Sequence, residues 1–397
     1  MSRLVLIILQ LVALLLSGTG LFLSSWIVIP APNMPLLTLG VGAPEVSHWL
    51  ILLNLVATGL LLGVMRRTPL QFIALGASLL GLFLSALPLM QLPGTVQNLT
   101  VAMKEGIGSE YSQILNNKQV SMRQEPFVLA DAFTGIKLGK SRYTPNIRFA
   151  NPDGVPLSMD IYRPPQVGKY PALVVIYGGA WRSGDRLYNS DFSRYMAARG
   201  YTVFAIDYRH APRYRFPAQL DDVRAALSFI QQNATQYEAD SERMVLLGRS
   251  AGGHLAMLAA YQPDAIPVKA VVSYYGPVDL PGGYASPPRP DPIDTRNVLV
   301  TLFGGTPEMF PNEYRVASPI NYVTRSLPPT LLVQGGRDHL VQLRFIQEMY
   351  QRLRANGNTA ILLEIPWAEH AFDAIFNGIS NQLALYYTER FVAWAVR

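Results

Sequence analysis

The chemistry of this chain centres on a serine held between two glycines, in the run Val245-Leu246-Leu247-Gly248-Arg249-Ser250-Ala251-Gly252-Gly253. The run is typical of a short apolar strand, a Gly-x-Ser-x-Gly turn and a helix that begins with small residues. Such a turn holds the serine in a strained backbone conformation, and side chains at Gly248 and Gly252 would collide with their surroundings. Ser250 is therefore predicted to be a nucleophile with an exposed hydroxyl; a plain glycine turn is the alternative.

A serine hydroxyl becomes an effective nucleophile only when a histidine takes its proton and a carboxylate orients that histidine. Of the five histidines, His370 is on a loop after a predicted strand, and Asp338 follows another strand on a glycine-rich loop. The order Ser250, Asp338, His370 is the triad order of α/β-hydrolases. The alternatives are that Asp338 caps the helix beginning near Val341 and that His370 is an exposed loop residue.

The N–H groups that would stabilise an oxyanion are expected from a loop at the end of an early strand. The sequence Tyr-Gly-Gly-Ala-Trp at 177–181 ends the predicted strand 172–177. Two consecutive glycines let the backbone approach a tetrahedral intermediate closely, so the predicted donors are the N–H groups of Gly179, Ala180 and Ala251. A glycine turn with no further role is the alternative.

The elements that must position these residues are eight predicted strands: Asn146–Phe149, Leu157–Tyr162, Ala172–Tyr177, Thr202–Ile206, Met244–Leu247, Ala270–Tyr274, Thr330–Val333 and Ile361–Glu364. The Asp153-Gly154 pair predicts a hairpin between the first two. The later runs are continuously apolar and alternate with helical segments, which predicts an α/β fold with a mostly parallel sheet covered on both faces. The long segment 276–329 is expected to form partial helices and to contribute to the pocket rim.

Four motifs together resemble the α/β-hydrolase esterases related to hormone-sensitive lipase and to the feruloyl and acetyl-xylan esterases. They are Gly-Gly-Ala-Trp at 178–181, Asp-Tyr-Arg-His-Ala-Pro at 207–212, Phe-Pro-Ala-Gln-Leu-Asp-Asp-Val at 216–223 and Gly-Arg-Ser-Ala-Gly-Gly at 248–253. The resemblance covers about 143–397. It implies hydrolysis of carboxylic esters through an acyl-serine, without a metal or another cofactor, and a structural role for 207–209.

The chain departs from the usual family pattern at two positions. Tyr177 stands where these families usually have His. A tyrosine at this position is similar to the cholinesterase-type pattern, so it does not indicate loss of activity. Arg249 precedes the serine, where Asp, Glu or His is commoner. It is expected to pair with a loop carboxylate or, alternatively, to add positive potential beside the serine.

Three aromatic residues near the predicted site are candidates for lining the acyl or alcohol pocket: Trp181, Tyr274 and Tyr275. A binding pocket is usually lined mainly by apolar and aromatic side chains around a few polar groups. Aromatic residues beside strands are equally common in a core. Whether each of the three faces the pocket or the core stays open from the sequence.

The N-terminal region has a different composition. Through Met103 the charged residues are Arg3, Glu45, Arg66 and Arg67. Apolar stretches at about 4–29, 49–65 and 70–92 are each about long enough to cross a hydrocarbon core of roughly 30 Å as a helix. The alternatives are a cleaved signal peptide for the first stretch and buried core helices for the others.

This pattern predicts a multi-pass anchor at 1–93, a connector at 94–140 and a catalytic domain at 141–397, with a lid from the connector as an unsupported alternative. Arginines flank the spans at Arg3 and Arg66-Arg67, whereas the loop 30–48 has no Lys or Arg. By the positive-inside rule the N-terminus is cytoplasmic and the catalytic domain is on the extracytoplasmic side.

Composition limits the partners. The chain has no cysteine, which excludes disulfides and thiolate metal sites, and its formal net charge of +6 is spread out, which gives no support to nucleic-acid binding. The expected partners are a small-molecule ester and the lipid bilayer; the oligomeric state is left open. The rival functions are a serine peptidase of the prolyl-oligopeptidase type and a hydrolase-like binding protein without catalysis.

Overall fold

The N-terminal region consists of four successive helices in the computed structural model, which describes residues 2–64, 68–111 and 122–397. They are α1 (Arg3–Ser25), α2 (Met34–Glu45), α3 (Ser47–Gly63) and α4 (Pro69–Ile107). Helices α1 and α4 are long and apolar enough to cross a membrane, and the bent pair α2 and α3 would make a third span. The structure therefore allows two or three spans, and the expected number, three, is the higher of these. Arg66 and Arg67, on which the predicted orientation partly depends, lie outside the described residues.

The expected loop between the first two spans contains helix α2, which the sequence analysis did not predict. The side chain of Asn33 caps this helix by accepting a hydrogen bond from the Leu36 N–H group (3.1 Å). Helices α2 and α3 meet at 84°. The chain thus turns almost at a right angle between them.

Helix α4 is longer than the predicted span at 70–92, since it continues to Ile107. Its 39 residues correspond to about 58 Å, about twice the thickness of a hydrocarbon core. Its second half packs on the sheet: a Cβ atom on Gly106 would lie 2.2 Å from Ile361 Cγ1, and Thr100 Oγ1 is 2.8 Å from the Tyr387 hydroxyl. The predicted domain boundary at residue 93 thus falls within one helix.

Further residues of the predicted connector also pack against the C-terminal region, including α5 (Leu129–Thr134). The Arg123 N–H group donates to Glu389 Oε2 (2.9 Å), and Arg123 Nη2 donates to Gln382 Oε1 (2.9 Å). The helix predicted near 100–117 is the end of α4, and residues 112–121 lie outside the described ranges.

A single eight-stranded sheet forms the centre of the C-terminal region. Its strands are β1 (Arg142–Ala150), β2 (Leu157–Arg163), β3 (Tyr170–Ile176), β4 (Thr202–Ile206), β5 (Ala239–Arg249), β6 (Ala270–Tyr274), β7 (Thr330–Gly335) and β8 (Ala360–Ile365). The spatial order is β1-β2-β4-β3-β5-β6-β7-β8. Strand β2 pairs antiparallel with β1 and β4, and β3 to β8 are parallel. The predicted, mostly parallel α/β sheet is confirmed.

Helices cover both faces of this sheet and bury two apolar clusters. They are α6 (Ser190–Ala197), α7 (Ala218–Asn233), α8 (Ala251–Tyr261), α9 (Leu280–Ala285), α10 (Thr295–Phe303), α11 (Pro311–Val316), α12 (Leu343–Ala355) and α13 (Ile379–Ala395). Helices α9, α10 and α11 are the partial helices expected in the long segment after β6. The second half of α4 joins α6 and α13 in covering one face.

Candidate active site

The turn between β5 and α8 places Ser250 in the strained conformation that its glycines predict. Ser250 has φ +51° and ψ −122°, outside the backbone regions that L residues ordinarily adopt. A Cβ atom on Gly248 would lie 2.0 Å from the Gly252 carbonyl oxygen, and one on Gly252 would lie 2.1 Å from the Ile176 carbonyl oxygen. The predicted collision of side chains at both glycines is confirmed.

Three side chains from separate loops meet at this turn. His370 Nε2 lies 3.0 Å from Ser250 Oγ, and His370 Nδ1 lies 2.8 Å from Asp338 Oδ2. With the tautomer that carries a proton on Nδ1, His370 donates to Asp338 and offers Nε2 as an acceptor to the serine hydroxyl. The structure thus brings together the three residues that the sequence analysis selected, in the geometry that proton transfer requires.

Asp338 is buried and each of its carboxylate oxygens has partners. Its Oδ1 atom accepts the N–H groups of Leu340 (2.8 Å) and Val341 (2.7 Å), while Oδ2 accepts from Gln334 Nε2 (2.9 Å) as well as facing His370. The capping alternative therefore does not compete with the orienting role, because different oxygens serve the two contacts. Gln334, at the end of β7, was missed by the sequence analysis because a glutamine within an apolar strand carries no motif.

Carboxylates surround His370. Burial by itself lowers the pKa of His370, but the nearby carboxylates of Asp338, Glu369 and Asp373 more than offset this, and the pKa is raised above its ordinary value. Glu369 also accepts the N–H groups of His370 (2.9 Å) and His339 (2.7 Å). These carboxylates favour the imidazolium, the form that appears when the histidine takes the serine proton.

The three backbone amides predicted to stabilise an oxyanion have no hydrogen-bond acceptor among the described residues. The N–H group of Ala251 is at the first position of α8, where no acceptor within the helix is available. Gly179 has φ +135°, and a Cβ atom on it would lie 2.0 Å from the Ser183 carbonyl oxygen. Ala180 also has a positive φ, +52°. The loop thus holds a strained conformation beside the serine and leaves its donors free.

Arg249, the unusual residue before the serine, is buried and forms an ion pair with Asp373. Asp373 also accepts from the Tyr275 hydroxyl. Of the two expected roles of Arg249, pairing with a loop carboxylate is the one present, and the positive charge is neutralised locally. Asp373 was missed by the sequence analysis, although it lies only three residues after His370.

A cavity of about 790 Å³ opens at Ser250 and His370. Trp181 and Tyr275 line it, and the Tyr275 ring lies 4.5 Å from the His370 ring. Tyr274, the third aromatic candidate, is instead fully buried beneath the sheet and its hydroxyl lies 2.8 Å from Thr388 Oγ1. The difference arises because β6 ends at Tyr274, whereas Tyr275 is the first residue after the strand and has a positive φ, +42°.

Trp181 is held in the cavity wall by His254. The indole Nε1 donates to His254 Nδ1 (3.1 Å), and His254 Nε2 lies 2.6 Å from the Ala317 carbonyl oxygen. Burial lowers the pKa of His254 to about 4, so the ring is neutral and donates from Nε2. His254 therefore has a structural role.

The motif at 207–209 lies outside this cavity and organises the neighbouring loops. The Tyr208 ring stacks on the Tyr177 ring with centroids 4.4 Å apart. Arg209 Nη2 lies 2.8 Å from Asp222 Oδ1 in a buried ion pair. The Tyr177 hydroxyl donates a hydrogen bond to the Tyr208 carbonyl oxygen (3.3 Å). This bond connects the 207–209 motif to the glycine loop that follows Tyr177.

Comparisons with known proteins agree with this architecture. A family model named BD-FAE matches residues 159–353. Esterase LipC of Mycobacterium tuberculosis is 33% identical over 251 residues, which are 59% of this chain and 61% of that protein. The isoprenylcysteine alpha-carbonyl methylesterase ICME of Arabidopsis thaliana is 27% identical over 52% of this chain and 51% of its own length. The chain thus spans about half to three-fifths of the length of these curated relatives.

Solved structures share the fold. Esterase 2 of Thermogutta terrifontis with bound propionate has a TM-score of 0.52 and 22% identity over 64% of this chain and 94% of its own. The same enzyme phosphonylated by sarin has a TM-score of 0.53 and 24% identity over 64% of this chain and 92% of its own. The sheet order, the serine turn and these likenesses identify an α/β-hydrolase fold.

Proposed function

We propose that this chain, an α/β-hydrolase related to the serine esterases, is a membrane-anchored carboxylesterase with Ser250 as its nucleophile. The observation that carries the proposal is the continuous hydrogen-bonded series from Ser250 through His370 to Asp338. This series lies beside three backbone amides that have no acceptor within the described part of the chain, and it opens into one cavity. All the groups needed for acyl transfer to a serine are therefore within reach of one bound ester.

In the first half of the reaction, Ser250 Oγ attacks the ester carbonyl carbon while His370 Nε2 accepts the hydroxyl proton. The carbonyl oxygen becomes an oxyanion, and the N–H groups of Gly179, Ala180 and Ala251 stabilise it. Asp338 accepts the Nδ1–H group of the imidazolium. The C–O bond to the alcohol then breaks, His370 returns the proton to the leaving oxygen, and the acyl group stays on Ser250.

In the second half, a water molecule replaces the alcohol. His370 accepts a proton from the water as its oxygen attacks the acyl carbon, and the same amides stabilise the second oxyanion. Collapse of this intermediate returns the proton to Ser250 Oγ and releases the carboxylic acid. Both halves need His370 neutral at the start, so activity is expected to rise with pH through the raised pKa of His370.

The named relatives support the ester substrate. Esterase LipC and the methylesterase ICME are named for ester hydrolysis, and each aligns with about half or more of this chain. The residue after the serine is Ala251, whereas peptidases of the prolyl-oligopeptidase type tend to have an aromatic residue there. Both observations favour an ester over an amide.

The proposed anchor has three spans, with the N-terminus in the cytoplasm. They are α1, α4 and, between them, α3, which we take as the crossing part of the bent pair. Helix α2, between the first two spans, contacts the C-terminal region: the Ser380 N–H group donates to Glu45 Oε2 (2.8 Å). Both must therefore lie on the same side of the bilayer. Three crossings satisfy this condition, whereas crossings by α1 and α4 alone would leave α2 and the C-terminal region on opposite sides. This agreement supports three crossings, and with a cytoplasmic N-terminus the proposed active site is extracytoplasmic.

Hydrolysis of p-nitrophenyl esters of graded acyl length by the purified full-length protein tests the activity. We expect turnover of esters, much slower turnover of a p-nitroanilide with the same acyl group, and a loss of at least about a thousandfold in Ser250→Ala. Circular dichroism of Ser250→Ala checks that the fold is retained. Ester turnover near the wild-type rate in this variant would rule out the proposed nucleophile.

A membrane-impermeant fluorophosphonate tests the side of the membrane, since it labels only an accessible, activated serine. We expect labelling of intact cells, with the outer membrane permeabilised in a Gram-negative host, and no labelling of Ser250→Ala. Labelling that requires rupture of the inner membrane would invert the proposed topology and leave the esterase proposal standing.

A further inference from the structure

One wall of the active-site cavity comes from the N-terminal region. Five residues of helix α2 line the cavity, at positions i, i+3, i+4, i+7 and i+8: Met34, Leu37, Thr38, Val41 and Gly42. This spacing places them on a single face of the helix. A helix that follows a membrane span therefore presents an uncharged stripe to the space above Ser250.

Contacts on both sides of α2 hold it in this position. Before the helix, Arg337 Nη2 donates to the Val28 carbonyl oxygen (2.5 Å), and Arg337 directly precedes the triad acid. At the end of the helix, its last residue Glu45 accepts the Ser380 N–H group. Just beyond it, in α3, His48 Nε2 lies 3.1 Å from the Ala132 carbonyl oxygen. The helix is thus fixed against the catalytic region at both ends.

The position of α2 relative to the bilayer follows from its neighbours. If α3 crosses the bilayer, the 84° bend lays α2 nearly parallel to the membrane surface. Trp26 directly follows α1 and Trp49 is near the start of α3, and Trp is enriched at membrane–water interfaces. Between Arg3 and Arg66 the sequence has one charged residue, Glu45, and its carboxylate accepts a hydrogen bond from the Ser380 N–H group. The bend and the flanking tryptophans therefore support a position of α2 near the membrane surface.

A second part of the cavity lining is also apolar. It includes Val298, Leu299, Val341 and Phe345 from the region after β6 and from the start of α12. The charged pair Arg249 and Asp373 is neutralised internally. The cavity lining also includes the charged residues Arg182, Asp191 and Asp279, so its polar groups lie apart from the α2 face. An aliphatic chain along the apolar parts of the lining would bury its surface there.

Exposed apolar side chains surround this side of the molecule. Met34 of α2 is 50% exposed and Tyr188, which also lines the cavity, is 55% exposed. Val28 and Ile29, between α1 and α2, are exposed as well. Apolar surface of this kind beside membrane spans is stabilised by contact with lipid.

We propose that the cavity receives the aliphatic chain of a long-chain lipid ester directly from the bilayer, with the α2 face formed by Met34, Leu37, Thr38, Val41 and Gly42 as the wall along which the chain lies. The proposal rests on the ester hydrolysis proposed above and names its substrate class. The reacting carbonyl stays at Ser250, and the chain extends from it towards the membrane surface.

Gly42 is the position for testing the wall. A Cβ atom there would have Ile375 Cδ1 as its nearest neighbour, at 3.9 Å, so the Cβ atom of a substituted residue has room beside the cavity that Gly42 lines. We expect Gly42→Phe to lower the ratio of kcat/KM for 4-methylumbelliferyl hexadecanoate to that for the butanoate by about tenfold or more. The matched control is Gly59→Phe, on an exposed part of α3 with no atom within 4 Å of an added Cβ, which should leave the ratio unchanged.

A second experiment tests delivery from the bilayer. The full-length protein is reconstituted into phosphatidylcholine vesicles, and the hexadecanoate ester is placed either in the same vesicles or in separate ones. We expect hydrolysis at least about tenfold faster when enzyme and ester share a bilayer. Equal rates in the two arrangements would overturn delivery from the bilayer, and an unchanged ratio in Gly42→Phe would overturn the α2 wall.

The two proposals fail in different ways. If the esterase proposal is wrong, neither the butanoate nor the hexadecanoate is hydrolysed and Ser250 does not react with a fluorophosphonate. If only the lipid-substrate proposal is wrong, the butanoate is hydrolysed and Ser250 is labelled. The long-chain ester then shows no dependence on Gly42 or on sharing a bilayer.

Discussion

The surroundings of Ser250 and the N-terminal helix bundle both bury polar side chains, but the interactions that these side chains make differ in charge. Next to the serine they include a buried ion pair, Arg249 with Asp373. Inside the bundle they are neutral: Asn54 Nδ2 donates to Ser24 Oγ (3.0 Å) and both side chains are buried. Neutral hydrogen bonds suit helices that are proposed to lie in lipid, and paired charges suit a site that is proposed to stabilise charge during acyl transfer.

The difference also indicates where substitutions should be costly. Removing one partner of a buried ion pair leaves a charge without compensation, whereas removing a neutral hydrogen bond leaves at most an unpaired polar group. Substitutions of buried polar residues should therefore destabilise the protein far more at the site than in the bundle. The following experiments test this contrast, from the largest expected effect to the smallest.

Asp338→Asn separates the two contacts of the triad carboxylate. The amide oxygen of asparagine can still accept the N–H groups of Leu340 and Val341, but the side chain carries no charge to stabilise protonated His370. We expect kcat for a nitrophenyl ester to fall by about 10⁴-fold with a nearly unchanged melting temperature. Turnover within tenfold of the wild type would mean that Asp338 serves as a cap alone.

Arg249→Met should destabilise the protein by about 3–5 kcal/mol, because it leaves the Asp373 carboxylate buried without a counter-charge. The free energy of unfolding, measured by thermal or chemical denaturation, checks this. The matched control is Arg352→Met, which breaks an exposed pair with Glu348 and should cost less than about 1 kcal/mol. The double variant Arg249→Met/Asp373→Asn should recover part of the loss, and no recovery would contradict the ion-pair explanation.

Asn54→Leu should cost about 1 kcal/mol, since it removes two neutral hydrogen bonds, to Ser24 Oγ and to the Leu50 carbonyl oxygen, while nearly keeping the side-chain volume. The close approach of Gly20 and Gly81, on which an added Cβ would lie within 2.4 Å of Asn54 Oδ1, shows that the bundle is packed around this residue. Thermal unfolding in detergent measures the change, with the exposed Leu55→Met as control. A loss as large as that of Arg249→Met would remove the proposed contrast between the two regions.

Glu369→Gln should change the pH dependence of activity more than its maximum. Catalysis needs neutral His370, so kcat/KM should rise with pH through a midpoint above the ordinary histidine value of about 6.5. Glu369 is one of the carboxylates that raise the pKa of His370, and removing its charge should move the midpoint to lower pH. The exposed Glu348→Gln should leave the midpoint in place; an unmoved midpoint in Glu369→Gln would show that its charge does not reach the imidazole.

Local patterns in the sequence were sufficient for the strands of the sheet and for the chemically capable residues, although they did not predict helix α2. The Gly-x-Ser-x-Gly turn, the glycine pair at 178–179 and the apolar runs each have a physical cause within a few neighbouring residues. The predicted strands and the parallel sheet are therefore confirmed. The order of Ser250, Asp338 and His370 led to three side chains that the structure brings within hydrogen-bonding distance.

The partners of these residues were decided by the tertiary structure alone. Arg249 meets Asp373 across 124 positions of the chain, and no local pattern relates the two. Tyr274 and Tyr275 differ in role because the end of β6 directs one beneath the sheet and the other into the cavity. Helix α2 was missed as a cavity wall for a similar reason. An uncharged apolar stripe has the same sequence pattern whether it faces lipid, a core or a substrate. The packing of the helix in the tertiary structure decides which of the three it contacts.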